Sequence, residues 1–441
     1  MLTAITLETF KSYRSARLPL APLTVLIGAN ASGKSNAVEA MRLLSWLAQG
    51  QKLSAIRYAI HDGEHVVRGK VDDLSYRQGD SFSIGCETND TEFNRLSVTV
   101  ARHADGLHIA NESITHEGAR VPLYVLDQPS TGRGTDVRVA YDNFSRGGKK
   151  PYVTCSDQAA IFTQLTNPTA FDARHKDAQT KIPKITRHYE ALLSSILFLD
   201  PVPARMRDYS FSGDGRLRGS GENVSSILFD LIEGPLSDDE AKDDVLNFIR
   251  SLPEQDIAQL GFVQEPRGGV MIKLTETFGG VERPYDASLL SDGTLRVLAI
   301  AAAMLSAEAG SLVVIEEIDN GVHPSRARHL LACIRRVAER RRLRVLLSTH
   351  NPALLDALPD RAIPDVVFCY RDPEDGASRL VRLEDLPAYP ELIAQGSLGD
   401  LATSGTLERF VKSQPDEDER RARVMIWSLD SDLEGYDRVV G

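Results

Sequence analysis

The chain has 441 residues, 42% of them hydrophobic and 26% charged, with a formal net charge of −11 at pH 7. This composition fits about two or three globular domains or one elaborated α/β domain, and its acidic balance excludes a chain that coats nucleic acid by bulk attraction. The widely spaced cysteines, the lack of a signal-peptide layout and the lack of an apolar run near the roughly 20 residues of a bilayer span argue against a cysteine zinc site and a membrane segment, so we expect a cytoplasmic protein.

The first half of the chain predicts strands around one early helix. Residues 1–9 alternate apolar and polar side chains, and the continuous apolar run 23–28 predicts a strand that is buried on both faces. Helical spacing follows after Ser35, and short alternating runs over 66–110 predict antiparallel strands. Residues 111–180 are the least regular part, and we interpret them as an insertion of loops and short helices.

The second half predicts a regular alternation of strands and helices. In chain order these are a strand at 196–200, helices at 222–234 and 239–251, strands near 260–278, a helix at 293–308, a strand at 311–317, a helix at 325–341, a strand at 344–349, a helix at 352–357 and a strand at 365–370. Strands that alternate with helices predict a mainly parallel sheet. From about Lys412 the chain is charged, and we interpret it as a peripheral tail.

The stretch GANASGKS fits the phosphate-loop pattern GxxxxGK[ST] with Gly28, Gly33, Lys34 and Ser35. Glycines let backbone N–H groups face phosphates, and the N-terminus of the following helix adds partial positive charge. Lys34 would neutralise charge on the β- and γ-phosphates, and Ser35 would ligate Mg²⁺. The alternative is a glycine-rich turn with a solvated lysine, which the flanking strand and helix disfavour.

Two further strands end on residues that suit phosphate chemistry. Glu316 and Glu317 close an apolar strand, where Glu316 would bind the water of a metal ion and Glu317 would act as general base. Another strand ends on His350, which we predict to contact the γ-phosphate. Acids at a strand end commonly just meet solvent, and a histidine there is by default a surface residue. The phosphate loop upstream favours the functional interpretation.

The stretch LSDGT precedes the helix that leads into the acidic strand. Ser291 is a favourable N-cap, and Gly293 permits close approach of a ligand. The phosphate loop lies far away in the sequence. We therefore interpret this helix start as an anion-binding site whose anion is held by a motif elsewhere.

The order of these motifs resembles the ABC-type ATPase heads of the RecF, SMC and OLD group. The opening LETFKSYRS followed by LTVLIGANASGKSN matches the start of that group, and IEEIDNGVHP resembles the form found in stand-alone predicted ATPases of bacteria. The resemblance implies an α/β fold of the P-loop NTPase class. It also implies a mixed or parallel core sheet, an antiparallel β subdomain and a helical insertion.

The resemblance also implies the ligands and the residues that hold them. ATP and Mg²⁺ would be the cofactors, Ser35 and Glu316 the metal residues, and Glu317 and His350 the catalytic residues. The implied nucleotide-binding residues are Lys11, Ser12, Gly28, Asn30, Gly33, Lys34, Ser35, Asn36, Ser291, Gly293, Asp319 and His323. In such heads the helix after Ser291 closes over the γ-phosphate held by a second copy, and Asp319, Asn320 and His323 face that copy.

Two departures from the family pattern stand out. Asp292 replaces the first glycine of the ABC signature, and Glu316 replaces an aspartate, as is usual in this branch. The glutamine that such ATPases place beside the metal is not assigned, because Gln51, Gln78 and Gln164 all remain candidates.

We expect four segments along the chain. They are an ATPase lobe with antiparallel strands at 1–110, an insertion that contacts a partner or DNA at 111–190, a signature subdomain with the second half of the ATPase core at 191–411, and a charged tail at 412–441. The basic run 335–344 is interpreted as a solvated helix face, whereas 145–150 and 216–221 are the candidates for DNA or partner contact.

The predicted function is that of a dimerising ATPase. Its branch resembles ATPase subunits of two-component anti-phage systems such as PARIS and Septu and retron-linked versions. The resemblance implies a homodimer or higher homo-oligomer formed through ATP, with a separately encoded effector, a nuclease (including the TOPRIM type) or a toxin. Two alternatives stay open, a RecF-like DNA repair ATPase and an ATP-held scaffold with little turnover.

Overall fold

The computed structural model describes every part of the chain except residues 57–65, 117, 119–120, 129–133, 146, 148, 212, 214, 235–236, 238, 250–256, 321–323, 388 and 413–441. The predicted tail therefore lies outside the described residues from 413 onward. Among the residues that are described, no helix is long and apolar enough to cross a bilayer.

The strands form three sheets. In chain order they are β1 Leu2–Phe10, β2 Tyr13–Pro19, β3 Leu23–Ile27, β4 Ser81–Thr88, β5 Arg95–His103, β6 Gly106–Thr115, β7 Tyr124–Leu126, β8 Asp136–Tyr141, β9 Tyr152–Ser156, β10 Leu197–Leu199, β11 Ser210–Phe211, β12 Ile257–Gln264, β13 Gly269–Phe278, β14 Val281–Asp286, β15 Leu312–Ile315, β16 Arg344–Ser348, β17 Val366–Arg371 and β18 Ser378–Arg382.

The helices lie between and beside these sheets. In chain order they are α1 Lys34–Ala48, α2 Ile161–Gln164, α3 Lys176–Ser194, α4 Pro203–Met206, α5 Val224–Ile232, α6 Asp239–Ile249, α7 Asp292–Ser306, α8 Pro324–Arg341, α9 Pro352–Asp356, α10 Tyr389–Ile393, α11 Leu398–Thr403 and α12 Thr406–Lys412. Short 3-10 turns lie at Leu53–Ala55, Val71–Asp73, Tyr76–Gln78, Pro168–Ala170, Asp360–Ala362 and Leu383–Asp385.

The central sheet has the strand order β10-β15-β16-β3-β17-β18. All of its neighbouring strands pair in parallel except β17 and β18, so the predicted mainly parallel sheet is confirmed. Side chains alternate between two cores. On β3, for example, Val25 and Ile27 enter one core and Leu26 enters the other. Continuous apolar runs form these strands because both faces are covered.

The two faces of the central sheet carry different layers. One core contains buried side chains of α5 to α9, α11 and α12, together with β12 and β13. The other core contains α1, α3 and the large antiparallel sheet. Helix α1 therefore lies between the central sheet and the antiparallel sheet, and its start, with the phosphate loop, lies at one edge of both.

The antiparallel sheet has eight strands in the order β2-β1-β4-β5-β6-β7-β8-β9. The strand expected over 1–9 is β1, which pairs with β2 and β4 in this sheet. The strands expected within 66–110 are present from Ser81 onward. The start of that region forms no strand: Val66 and Val67 lie in a bend, and a 3-10 turn begins at Val71. Beside this turn the Lys70 N–H donates to Asp73, a local bond that favours a turn over a strand.

The expectation of loops and short helices over 111–180 is right only in part: the short helix α2 and the 3-10 turn Pro168–Ala170 lie there, but so do three strands. Strands β7, β8 and β9 extend the antiparallel sheet there, and the 19-residue helix α3 follows. The strands were missed because they are short, at most six residues, and are separated by long polar connections, so each carries too little alternation to be distinguished from a loop.

The second half follows the predicted alternation closely. Helices α5 to α9 and strands β15 to β17 lie within a few residues of their predicted positions. A separate four-stranded sheet of β11 to β14 packs beside α5. The basic run 335–344 is not a purely solvated face, because Arg336 and Arg340 pair with Asp244 of α6, and Arg340 also pairs with Glu240.

Candidate functional site

A cavity of about 490 Å³ opens at the carboxyl edge of the central sheet. Its walls come from the ends of five strands: residues 30–36 after β3, Asp200 after β10, Glu316 and Glu317 after β15, residues 348–350 at the end of β16, and Arg371 of β17. Carboxyl ends of parallel strands meet at one edge, where α/β proteins bind ligands.

The phosphate loop turns sharply between β3 and α1, and two of its glycines cannot carry a side chain. Gly28 has φ 146°, and a Cβ there would lie 2.1 Å from the Cys369 carbonyl oxygen of β17. Gly33 has φ 121°, and its Cβ would lie 2.3 Å from Ser378 Oγ. These close approaches tie the loop to the adjacent strands.

Lys34 is the first residue of α1 and lines the cavity. Its Nζ donates to the carbonyl oxygens of Gly28 at 2.6 Å and Ala29 at 3.1 Å. Burial lowers the pKa of Lys34, while the thiol of Cys369 and the carboxylates of Glu317 and Asp319 oppose that shift. The N-cap Gly33 supplies no side-chain acceptor to the first N–H groups of α1, so this end can receive an anion.

Ser35 and Asn36 both line the cavity, together with the exposed Asn30. Asn36 Nδ2 donates to Ser12 Oγ at 2.7 Å, and Ser378 Oγ lies 2.8 Å from the same hydroxyl. Ser12 is buried, so its hydroxyl holds the N-terminal hairpin, the phosphate-loop helix and β18 together.

Lys11 and Ser12 line a second cavity of about 430 Å³ instead of the first. The two cavities share Asn36 and Arg371, so they adjoin. Tyr76 adds an aromatic ring to the second cavity.

The ammonium of Lys11 pairs with the buried Glu39 of α1. Glu39 also accepts from Arg68 Nε at 2.5 Å, and this hydrogen bond is the main cause of the raised pKa of Arg68. Arg68 lines the first cavity. The buried Glu39 carboxylate therefore binds one positively charged side chain from each cavity, Lys11 and Arg68.

Glu316 lines the cavity and is paired with Arg42 of α1, whose Nη2 lies 2.6 Å from Oε1. The Arg42 guanidinium also lies over the Phe198 ring, 4.9 Å from its centroid. The hydroxyl of Ser35 and the carboxylate of Glu316 are hard oxygen ligands of the kind that Mg²⁺ uses. Within the described residues no group of three or more His, Cys, Asp or Glu side chains could hold a metal alone. Phosphate oxygens or water molecules would complete the coordination.

Glu317 adopts φ 47°, a left-handed conformation that costs a non-glycine residue on the order of 1 kcal/mol. Its N–H donates to Ser348 Oγ at 3.0 Å, and its Oε2 accepts from Asn320 Nδ2 at 2.7 Å. These two bonds hold an exposed carboxylate at the cavity in a conformation that the chain would not adopt by itself.

His350 lies at the rim of the cavity with half of its side chain exposed. Its Nδ1 is 3.7 Å from Asp319 Oδ2, and Asp319 Oδ1 accepts from Thr349 Oγ1 at 2.7 Å. Asp319 thus lies next to the cavity without lining it. His323, expected near it, lies outside the described residues.

Ser291 and Gly293, at the start of α7, do not line this cavity. Ser291 is the N-cap, and its Oγ accepts from the Thr294 N–H at 3.1 Å, as the sequence predicts. The side of this helix start that carries Ser291 is exposed.

The cavity residues that the sequence missed include Arg68, Asp200, Ser348, Thr349 and Arg371. Asp200 ends one predicted strand and Arg371 directly follows another, so the rule that singled out Glu316 could have found both. Arg68 follows no recognisable pattern. Gln51, Gln78 and Gln164 do not line the cavity, whereas Asp200, which follows the strand beside β15, does.

Two family models match the chain. Residues 153–356 match a family described as "AAA domain, putative AbiEii toxin, Type IV TA system", and residues 1–116 match one described as "AAA ATPase domain". The phosphate loop falls in the second match, and the acidic strand falls in the first.

A stretch of 70 residues, 16% of this chain, is 43% identical to the DNA replication and repair protein RecF of Gloeobacter violaceus and spans 17% of that protein. Among solved structures, an Smc head bound to the C-winged helix domain of ScpA has a TM-score of 0.46 at 14% identity, over 86% of this chain and 97% of that chain. An Smc head with an extended coiled coil, bound to the C-terminal domain of ScpA derived from Pyrococcus furiosus, has a TM-score of 0.45 at 14% identity, over 89% and 99%. Structural likenesses at this level do not bear on function.

Proposed function

Because this chain is a RecF/SMC-like ATPase of the ABC type, we propose that it binds and hydrolyses ATP and that two copies share each triphosphate. The observation that carries the proposal is the cavity itself. It brings Lys34 and Ser35 of the phosphate loop within one volume of about 490 Å³ together with Glu316, Glu317 and His350.

The residues of the cavity have separable roles in this proposal. Lys34 exchanges two neutral carbonyl partners for phosphate oxygens, which gives stronger, charge-assisted hydrogen bonds. Glu317 orients the attacking water and accepts its proton, and Asn320 holds that carboxylate in place. Mg²⁺, held through Ser35 and Glu316, would neutralise charge on the phosphates. The adenosine half would extend toward the second cavity, beside Lys11 and Ser12.

The sharing of each triphosphate between two copies is supported by where the second anion site lies. The Ser291 helix start is exposed and does not line the cavity of its own chain, while His350 at the cavity rim is half exposed. A second copy could place its Ser291 helix over that rim. Asp319, beside His350, would then face the partner.

The biological role that we propose is a sensor and scaffold subunit of an anti-phage defence system, acting on a separately encoded nuclease or toxin. The match to a family described by a toxin of a type IV TA system supports this role. The RecF match favours a second candidate, an ATPase that acts in DNA repair. A nuclease or toxin gene beside this one would favour the defence role, and a repair cluster would favour the second candidate.

The substitution Glu317→Gln tests the ATPase proposal. The variant keeps the carboxylate's shape but cannot take a proton, so we expect turnover to fall by roughly a hundredfold or more while ATP is still bound. We expect ATP to lock this variant as a dimer, measured by size-exclusion chromatography with light scattering. Glu308→Gln, an exposed change after α7, is the control and should behave as the wild type. Unchanged turnover in Glu317→Gln would instead favour the scaffold with incidental hydrolysis.

A further inference from the structure

One arginine holds the whole segment that precedes helix α7. Arg207 Nη1 donates to the carbonyl oxygens of Leu290 at 2.6 Å and Ser288 at 3.2 Å, and it lies 3.5 Å from that of Ala287. Its Nη2 pairs with the carboxylate of Asp292, the first residue of α7. The planar guanidinium can hold several acceptors at fixed angles, which a lysine ammonium cannot reproduce.

These bonds determine how the helix start is presented. The carbonyl groups before Ser291 turn inward to Arg207, while the Leu289 side chain is left 69% exposed. Ser291 itself keeps an extended backbone, with φ −67° and ψ 155°, so that its hydroxyl caps the Thr294 N–H.

Arg207 also offsets the negative charge of Asp292 at this helix start. A carboxylate at Asp292 would repel a triphosphate brought to the same helix end by a second copy. The guanidinium of Arg207 supplies the opposite charge directly beside it. The pair is partly exposed, with 32% of the arginine and 70% of the aspartate side chain accessible, so its main contribution is to geometry and local charge and not to folding stability.

The arginine belongs to the same segment as the cavity residue Asp200. The Asp200 N–H donates to the Gly219 carbonyl at 2.9 Å, and the Val202 N–H donates to the Ser220 carbonyl at 2.9 Å. Helix α4 follows, and its Met206 is fully buried. The segment from Asp200 to Arg207 therefore connects the cavity edge to the Ser291 helix of the same chain, and two backbone hydrogen bonds hold the start of this segment in place.

We propose that Arg207 is a positioning residue that presents the Ser291 helix to the triphosphate bound by a second copy of this chain. This inference rests on the proposed function, because it requires that two copies share each triphosphate. It assigns Arg207 to the partner's active site in a dimer and not to the cavity of its own chain.

The test compares Arg207→Gln with Arg205→Gln, a control two residues earlier, on helix α4, whose arginine lies 3.8 Å from Glu222. We expect Arg207→Gln to bind a fluorescent ATP analogue as tightly as the wild type. Its turnover should fall by roughly ten- to a hundredfold, because the group that it positions is displaced from the phosphate. Arg205→Gln should match the wild type in both measurements.

Mixing two inactive variants decides where Arg207 acts. A dimer of one Arg207→Gln chain and one Lys34→Ala chain contains one intact shared site, formed by the Lys34 of the first chain and the Arg207 of the second. Random pairing in a symmetric dimer should then restore about a quarter of wild-type turnover. If Arg207 served only its own cavity, or only folding, mixing would restore nothing, and that result would overturn the inference.

The remaining outcomes also decide the matter. If Arg207→Gln weakened binding of the ATP analogue as strongly as Lys34→Ala, the residue would belong to its own cavity and the inference would fail. If Glu317→Gln formed no dimer with ATP, the proposed function and this inference would fail together. Should Arg207→Gln not fold by circular dichroism, Arg207→Lys keeps the charge without the planar guanidinium, and the mixing experiment is done with that variant.

Discussion

Helix α1 carries charged side chains that are held by partners from distant parts of the chain. Glu39 of α1 is almost fully buried, yet it binds both Lys11 and Arg68, which belong to separate cavities. One turn further along the same helix, Arg42 holds Glu316. Most of the buried side chains of helix α1 are apolar, but Glu39 and Arg42 bind charged residues of other parts of the chain. A helical pattern in the sequence predicts where such residues lie on the helix, but not which distant residues they meet.

Glu112 is the clearest case of a buried carboxylate outside the cavity. Its side chain is fully buried and accepts hydrogen bonds from the Tyr124 hydroxyl at 2.6 Å and from the Ile161 and Phe162 N–H groups at 2.7 Å. It therefore binds the first N–H groups of α2. Burial raises its pKa to about 7, although the three hydrogen bonds act in the opposite direction.

This raised pKa predicts a pH-dependent contribution to stability. Between the ordinary value of 4.5 and about 7, the folded state keeps a proton that the unfolded state loses. The contribution is therefore fully present below pH 4.5 and is lost as the pH rises through 7, by up to roughly 3 kcal/mol. Glu112→Gln cannot titrate, so we expect its free energy of unfolding, measured with urea, to lack this decline. The exposed Glu308→Gln is the control and should decline as the wild type does; parallel curves for all three proteins would contradict the prediction.

Two helices of the chain begin in the same way, and only one of them is part of the proposed mechanism. Ser291 caps α7 through the Thr294 N–H at 3.1 Å, and Ser397 caps α11 through the Asp400 N–H at 3.3 Å. Each caps its helix with a hydroxyl oxygen, so a change to alanine should cost both helices about the same, roughly 1 kcal/mol.

The matched pair separates capping from nucleotide contact. We expect Ser291→Ala and Ser397→Ala to lower the free energy of unfolding similarly, but only Ser291→Ala to reduce ATP turnover and ATP-dependent dimer formation. The measurements are urea denaturation, phosphate release and light scattering on the same preparations. Equal turnover in the two variants would show that the Ser291 helix start does not meet a phosphate.

The short strands of the antiparallel sheet were the elements that the sequence predicted least well. The central-sheet strands β3, β15, β16 and β17 were expected at nearly the observed residues, because each is a continuous apolar run buried on both faces. Strands β7 to β9 have one face in the core and are short, and they were expected to be loops. Their structure depends on pairing with β6 and with each other, which a local pattern does not contain.

At the scale of the whole molecule, the described basic residues of the two segments expected to contact DNA or a partner already have partners within the fold. Arg216 Nη2 donates to the Ser194 and Ile196 carbonyl oxygens, Arg218 pairs with Glu222, and Lys150 pairs with Asp142. These contacts occupy positively charged side chains of the two segments. The net charge of the whole chain is −11.

We therefore expect the isolated protein without ATP to bind duplex DNA only weakly at about 0.15 M salt, and the binding to depend steeply on salt. Fluorescence anisotropy with a labelled duplex, over a series of salt concentrations, measures both. Tight binding at that salt concentration, retained after Arg216→Gln and Lys150→Gln, would favour the DNA repair role and would place the DNA contact elsewhere.

The sequence by itself determined the phosphate loop, the acidic strand and the N-cap at Ser291, because each is encoded in a few consecutive residues whose local geometry and chemistry suffice. Only the tertiary structure decided that Lys11 and Ser12 line a neighbouring cavity, that Arg42 holds Glu316, and that Asp200 ends the strand beside the acidic one. Only the tertiary structure also decided that Arg207 binds the Leu290 carbonyl and the Asp292 carboxylate on either side of Ser291. The physical reason is that these contacts join residues far apart in the chain, and the order in which strands pair brings them together.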